Sequence, residues 1–256
     1  MKPQEILNKS IDAGITKASL PLGKMIVLGI LAGAFIALAA VGANTAGSNL
    51  LLDLDTFGIG KLVTGVVFTV GLMLVVLAGG ELFTGNCLMI TSLLDKKIAI
   101  GPMLKNWVIV YFSNLVGALA VAFLISQSGL LDNDVVCQVT LKIASAKAAL
   151  GFKEAFILGI FCNFLVCLAV WIATGADSTV GKIFGMFFPI MLFVTSGFEH
   201  SIANMYYIPA GIFAGNQVTW AGFLANIVPV TLGNIVGGAI FVGMAYWYSY
   251  GKNSNN

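Results

Sequence analysis

The chain has 256 residues, 59% of them hydrophobic and only 9% charged, a balance that excludes an ordinary soluble globular domain and makes lipid the solvent. Its formal net charge is +2 and all thirteen cations are lysine, so no guanidinium is present to clamp phosphate and no nucleic-acid partner is expected. Cys87, Cys137, Cys162 and Cys167 lack metal-ligand spacing, and three of them sit in apolar runs where cysteine acts as a small hydrophobe. No metal and no cofactor are expected.

Residues 1 to 24 carry Lys2, Glu5, Lys9, Asp12, Lys17 and Lys24 before any apolar run begins, so no cleavable signal is expected and the first span must do the targeting. Leu7, Ile11, Ile15 and Ala18 recur there at helical spacing between lysines. The pattern suits either a short amphipathic helix on an anionic cytoplasmic surface or a solvated leader.

Uncharged stretches at Met25 to Ala43, Asn106 to Leu131, Ala155 to Ala176 and about Val218 to Tyr250 each fit one crossing of a bilayer core about 30 Å thick. Two other runs do not fit. Leu62 to Leu94 and Ile183 to Phe213 span 33 and 31 residues, roughly 50 Å and 46 Å as unbroken helices. Gly79-Gly80-Glu81 and Gly85-Asn86 lie within the first, and Ser196-Gly197 before Glu199-His200 within the second. Helix-weakening residues beside ionisable groups at membrane depth predict that the second and fifth of six spans are broken helices lining a common pathway.

The halves repeat. Asn106, Val108, Val110, Asn114, Val116 and Gly117 recur as Asn226, Val228, Val230, Asn234, Val236 and Gly237. Gly60-Lys61 matches Gly181-Lys182, Glu81 and Asn86 match Glu199 and Asn204, and Leu28-Gly29-Ile30 matches Leu158-Gly159-Ile160. Three crossings end on the side opposite their start, so the second copy is inverted, and its break should meet the first near the bilayer midplane at a transport site. The expected fold is all-α, a single membrane domain: a leader at 1–24, a first repeat at 25–131, an extracytoplasmic loop at 132–153 and an inverted repeat at 154–250. Nine lysines fall on the side of the termini, Lys252 among them, against Lys61, Lys142, Lys147 and Lys153 on the other. The positive-inside rule then places both termini in the cytoplasm.

At the breaks, Glu81 costs about 2.5–3.5 kcal/mol in lipid on insertion scales. Its carboxylate, like that of Glu199, is expected to accept the orphan N–H groups of the half-helix that follows, with contact to a substrate as the alternative. Gly85 and Gly197 would permit the breaks. His200 is the chain's one histidine, and beside a break it reads as a pathway donor more readily than as a satisfied core group. Thr84 and Asn204 would add hydrogen bonds. Leu72, Leu82, Phe68, Phe83 and Phe193 would form apolar collars above and below it or simply pack the helices. Lys142, Lys147 and Lys153 would draw anions toward an external funnel or belong to a solvated loop.

These motifs resemble the formate/nitrite transporter family. Gly79-Gly80-Glu81-Leu82-Phe83-Thr84-Gly85-Asn86 looks like its second-span signature, and Gly159-Ile160-Phe161-Cys162-Asn163-Phe164-Leu165-Val166-Cys167-Leu168-Ala169 like its fourth-span signature. Ser196-Gly197-Phe198-Glu199-His200-Ser201-Ile202-Ala203-Asn204-Met205 looks like its fifth-span break. The resemblance implies an aquaporin-like fold, a homopentamer with one pore per protomer in the cytoplasmic membrane, and passage of formate, nitrite, hydrosulfide or a similar small monovalent anion. It implies Thr84 and His200 as the central pair supported by Asn163 and Asn204, Lys147 as the vestibule lysine, and constrictions lined by Leu72, Leu82, Phe193 and Val166. General similarity points to the hydrosulfide branch, with formate or nitrite as the alternative. A neutral form crosses an apolar ring more cheaply than its anion, so transient proton donation near His200 would lower the barrier. The rival readings are an aquaporin-type channel for neutral solutes, a proton-coupled carrier and an enzyme. The first lacks its Asn-Pro-Ala motif, the nearest string being Ile208-Pro209-Ala210, and no catalytic constellation supports the last.

Overall fold

The computed structural model describes residues 1–215 and 217–251, and Lys252 of the lysine count lies outside them. The helices are α1 (Pro3–Ala18), α2 (Leu22–Leu52), α3 (Phe57–Gly79), α4 (Phe83–Leu94), α5 (Ile100–Gln127), α6 (Asp134–Ala148), α7 (Phe152–Gly175), α8 (Thr179–Ser196), α9 (Ser201–Phe213) and α10 (Trp220–Tyr250). Among the described residues no strand occurs. Six helices, α2, α3, α5, α7, α8 and α10, are long and apolar enough to cross a membrane.

The two long apolar runs are broken as their length demands. Each break opens on a glycine in the left-handed region, Gly79 at φ 96° and Gly197 at φ 77°, a conformation that costs a residue with a Cβ. Backbone is extended at Gly80 and Leu82 in one break and at His200 in the other. The breaks are equivalent in depth. The Glu81 amide donates to Leu28 O at 3.1 Å and the Glu199 amide to Leu158 O at 3.3 Å. Leu28 and Leu158 each stand six residues after the first residue of their helix (28 − 22 and 158 − 152). Gly85, expected in the break, instead lies in the first turn of α4, because the extended stretch ends at Leu82. The last six residues of α3, Leu74–Gly79, form a π-helical stretch before the break.

Spans cross closely where glycine allows it. A Cβ on Gly117 of α5 would collide with Ile30 O of α2, and one on Gly237 of α10 with Ile160 O of α7. Without a hydrophobic force between helices in lipid, such close backbone approach is a main source of packing energy. Tyr111 and Thr231, equivalent residues of the two repeats, hydrogen-bond each other at 2.9 Å. Equivalent residues that touch must straddle the pseudo-two-fold axis, so this pair marks where it passes.

Two segments outside the spans take a definite place. The leader is helical, and α1 docks on the protein through Leu7, Ser10, Ile11 and Gly14, while Ile15 is exposed. Trp171, Tyr246, Trp247 and Tyr250 receive it, and Ser92 Oγ donates to Ile11 O at 2.8 Å. The small residues Ser10 and Gly14, four apart on the docking face, let α1 sit close against Met89 and Ser92, and Lys17 reaches Glu81 from its last turn. The 132–153 segment is not a loop either. It contains α6, whose first turn is capped by the Asn133 side chain accepting from Val135 and Val136. The repeats are therefore α1–α5 and α6–α10, each opened by a short helix lying outside the spans.

Candidate functional site

Each break is fixed by the same set of side chains. In the first repeat Asn114 Oδ1 accepts from the Phe83 amide at 3.0 Å, and Asn114 Nδ2 donates to Gly29 O at 2.7 Å and Glu81 O at 2.8 Å. In the second, Asn234 Oδ1 accepts from the Ser201 amide at 2.9 Å, and its Nδ2 donates to Gly159 O at 2.8 Å and Glu199 O at 2.9 Å. One asparagine amide thus satisfies an orphan N–H of the half-helix and one carbonyl of the break, and ties both to a carbonyl of the neighbouring span.

The carboxylates do not cap the half-helices, contrary to expectation. Glu81 accepts from Lys17 Nζ at 2.7 Å and from Asn86 Nδ2 at 2.8 Å, and Glu199 from Lys147 Nζ at 2.7 Å and Asn204 Nδ2 at 2.6 Å. With the asparagines already on the backbone groups, the buried carboxylates are free to hold the lysines of α1 and α6. The chain of contacts continues symmetrically. Asn86 and Asn204 donate to Asn106 Oδ1 and Asn226 Oδ1, both at 2.8 Å, and those asparagines donate to Lys17 O at 3.2 Å and Lys147 O at 2.8 Å. Asn204, read from sequence as part of the pathway centre, is committed to this scaffold. Lys147 also lies over the Tyr207 ring, 5.3 Å from its centroid.

Between the breaks the symmetry fails, and polar groups meet. Thr84 Oγ1 and His200 Nε2 are 2.9 Å apart, both residues almost fully buried. His200 Nδ1 accepts from the Ala203 amide at 3.2 Å. An imidazole nitrogen that accepts carries no proton, so the geometry assigns the neutral tautomer with hydrogen on Nε2, donating to the threonine oxygen. The Thr84 hydroxyl hydrogen is then not used in this bond. Asn163 Nδ2 donates to Thr84 O at 3.2 Å and Asn234 O at 2.7 Å, tying the threonine's backbone to the second repeat.

On the side of the membrane opposite the termini, a cavity of about 340 Å³ leads to this pair. Asn44, Lys61, Lys142 and Lys147 stand on its wall, with Phe68, Phe193 and His200 at its inner end. Phe68 and Phe193 meet edge to face with centroids 5.8 Å apart, and Phe193 lies 5.9 Å from the His200 ring. That is an apolar floor beside the polar pair. Leu72, Leu82 and Val166 are buried in the apolar core and do not line the cavity. Phe83 does not line the cavity either; its ring packs edge-on against Tyr111 at 4.9 Å and Trp107 at 6.1 Å. Lys153 does not line the cavity.

Sequence reading passed over three residues. Lys17 was counted only as a leader charge, yet it pairs with Glu81; its signal was the match between Lys17 before Leu28-Gly29 and Lys147 before Leu158-Gly159. Lys61 was counted only for topology. Asn44, a lone amide in an apolar span, was not weighed at all.

A family model described as formate/nitrite transporter matches residues 4–248. The chain is 48% identical over 253 residues to the probable formate transporter of Methanothermobacter thermautotrophicus, covering 92% of each. Among solved structures, one described as an FNT family ion channel superposes with a TM-score of 0.87 at 33% identity, covering 96% of this chain and 98% of its own. Another, a pentameric formate channel with formate bound, matches with a TM-score of 0.79 at 36% identity over 90% of this chain and 97% of its own. The aquaporin-like fold, the paired breaks and these matches together place the chain in the formate/nitrite transporter family.

Proposed function

We propose that the protein is a channel for small monovalent anions, formate first among them, and that it neither catalyses a reaction nor selects neutral solutes. The observation that carries this is His200 in the lining of a lysine-walled cavity, hydrogen-bonded to the buried Thr84. Positive charge concentrates an anion at the mouth, the Phe68 and Phe193 rings strip its water, and the Thr84 hydroxyl replaces part of that hydration. Leu72, Leu82 and Val166 supply the collar beyond the pair. Formate leads because the named relative and the ligand-bound structure are described by it. Hydrosulfide, suggested by overall likeness, and nitrite are the comparison arms.

The neutral tautomer bears on proton donation. A neutral imidazole whose Nδ1 accepts from Ala203 has no proton to give without leaving imidazolate. Donation therefore first requires protonating Nδ1 and breaking the Ala203 bond. In the resting state His200 acts by hydrogen bonding, and proton transfer belongs to a second state with Nδ1 protonated.

The chain works as a homopentamer in the cytoplasmic membrane with both termini in the cytoplasm. The pentameric structural neighbour and the lysine asymmetry support this, as do exposed apolar side chains such as Phe112, Phe123, Phe184 and Phe188 on the outer faces. The experiment is flux of formate, nitrite, hydrosulfide and glycerol into proteoliposomes across a range of pH, for the native chain and His200→Phe. Rapid anion entry with formate leading, and an altered pH profile in the variant, is the expected result. Glycerol entry without anion entry overturns the reading, and a pH profile unchanged in the variant removes the role given to His200.

A further inference from the structure

We propose that Lys61 and Asn44 form an anion-binding site on the vestibule wall, ahead of the Phe193–His200 floor, taking a small monovalent carboxylate. The proposal rests on the anion-channel reading above and adds where the anion first dwells. Of the three lysines on the cavity wall, two are committed. Lys147 pairs with Glu199. Lys142 Nζ donates to Leu51 O at 2.9 Å and lies 5.8 Å from the centre of the Phe57 ring. Lys61 forms no ion pair among the described residues, where the pairs are Lys17–Glu81 and Lys147–Glu199. Glu199 is close enough for its charge to act on Lys61, but it forms no ion pair with it, and its two oxygens accept from Lys147 and Asn204.

The second observation is independent. Asn44 is 2% exposed and lines the same cavity, yet its Nδ2 has no hydrogen-bond partner. A buried amide hydrogen is rarely left so, and an anion in the cavity supplies the missing acceptor.

The helices bring the two groups to one stretch of wall. Helices α2 and α3 pack antiparallel, Gly47 against Thr64 and Gly42 against Val67, so Asn44 stands between these levels and deeper than Lys61. The Lys61 side chain leans inward: its Nζ is 3.3 Å from where a Cβ on Gly197 would sit, three residues before His200. An ammonium and an amide N–H therefore face an anion on its way to the floor. Among the described residues, the equivalent positions of the opposite half do not repeat it. Nothing lies within 4 Å of a Cβ built on Gly79, and Thr174, the equivalent of Asn44, spends its hydroxyl on Val170 O at 2.8 Å.

One-sidedness gives the test. Formate currents through the channel in a planar bilayer are measured against concentration with formate added on one side at a time, for the native chain, Lys61→Met, Lys61→Arg and Asn44→Leu. Lys61→Met and Asn44→Leu should each raise the half-saturating concentration from the vestibule side by roughly three- to tenfold. They should leave saturating flux within about twofold, leave the opposite side unmoved, and Lys61→Arg should restore most of the effect. Half-saturation unmoved, or moved equally from both sides, overturns the proposal. Formate-dependent thermal stabilisation of the purified native and variant proteins is measured alongside and needs no flux. If the native chain passes no anion but formate still raises its Tm through Lys61 and Asn44, the channel reading falls and the site stands. If the rise in Tm persists in both variants, the site falls. Should Asn44→Leu fail to assemble, Lys61→Met decides alone, because that residue reaches the cavity from the outer turns of α3.

Discussion

Replacing Asn234 by alanine removes three hydrogen bonds from one break, those from the Ser201 amide and to the carbonyls of Gly159 and Glu199. Interhelical hydrogen bonds in membrane proteins average about 0.6 kcal/mol, which puts a floor near ~2 kcal/mol under the loss. Buried groups left unpaired cost about 1–3 kcal/mol each, but water from the nearby cavity will reach some of them, so we expect roughly 2–5 kcal/mol in all. Asn114→Ala removes the same three bonds from the other break and should cost the same to within about 1 kcal/mol. Reversible unfolding in mixed detergent micelles, following helix content against denaturant, measures both. A loss below about 0.5 kcal/mol in either variant would refute the claim that these amides hold the breaks. A gap of more than ~2 kcal/mol between them would refute the equivalence of the repeats.

Three further outcomes follow from the same contacts. Lys147→Met strands the Glu199 carboxylate and should destabilise by about 3–5 kcal/mol, whereas adding Glu199→Gln should recover most of it; unfolding of the single and double variants checks this. Phe193→Ala removes one ring of the vestibule floor and should raise acetate flux relative to formate severalfold in proteoliposomes, an unchanged ratio meaning that Phe193 does not limit size. Gly237→Ala forces a methyl group onto the Ile160 carbonyl, so the yield of assembled protein on size-exclusion chromatography should collapse, while Gly58→Ala, with open space around it, should assemble normally.

What the sequence made legible was whatever membrane insertion forces on a chain. Six spans, two breaks and an inverted repeat follow from apolar length, from glycines beside ionisable residues and from asparagines too costly in lipid to be accidental. The pairing of those asparagines was not legible. A buried amide announces that it needs partners without saying which ones, so Asn114 and Asn234 were visible as a repeat but not as the caps, and that duty was assigned to Glu81 and Glu199 instead. The α1 docking face was misread because Ser10 and Gly14 carry no hydrophobic signal, while Ile15 does and faces outward. Phe83 follows the same logic: in a chain this apolar, composition does not say that its ring meets Tyr111 and Trp107.

The two repeats agree in the contacts that hold the breaks and differ where the breaks face each other. Glu81 and Glu199, Asn86 and Asn204, Asn106 and Asn226, Asn114 and Asn234, and Lys17 and Lys147 make the same bonds twice. At the centre the same registers diverge. Leu82 stands where the second repeat has His200, Thr84 where it has Ile202, and Gly33, which packs on the Asn114 backbone, where Asn163 donates to Asn234 O. The Thr84–His200 bond therefore joins one departure from each repeat, and neither repeat alone contains the pair. Asn44 against Thr174 is a departure of the same kind, on the vestibule wall. A symmetric conduit would present the same chemistry to both faces. If Asn44 and Lys61 hold an anion as proposed, the positions equivalent to Asn44 and to the Lys61 contact on Gly197, Thr174 and Gly79, offer no matching amide or ammonium, so the concentration dependence of flux should differ between the two ends even though the frame is built twice from one plan.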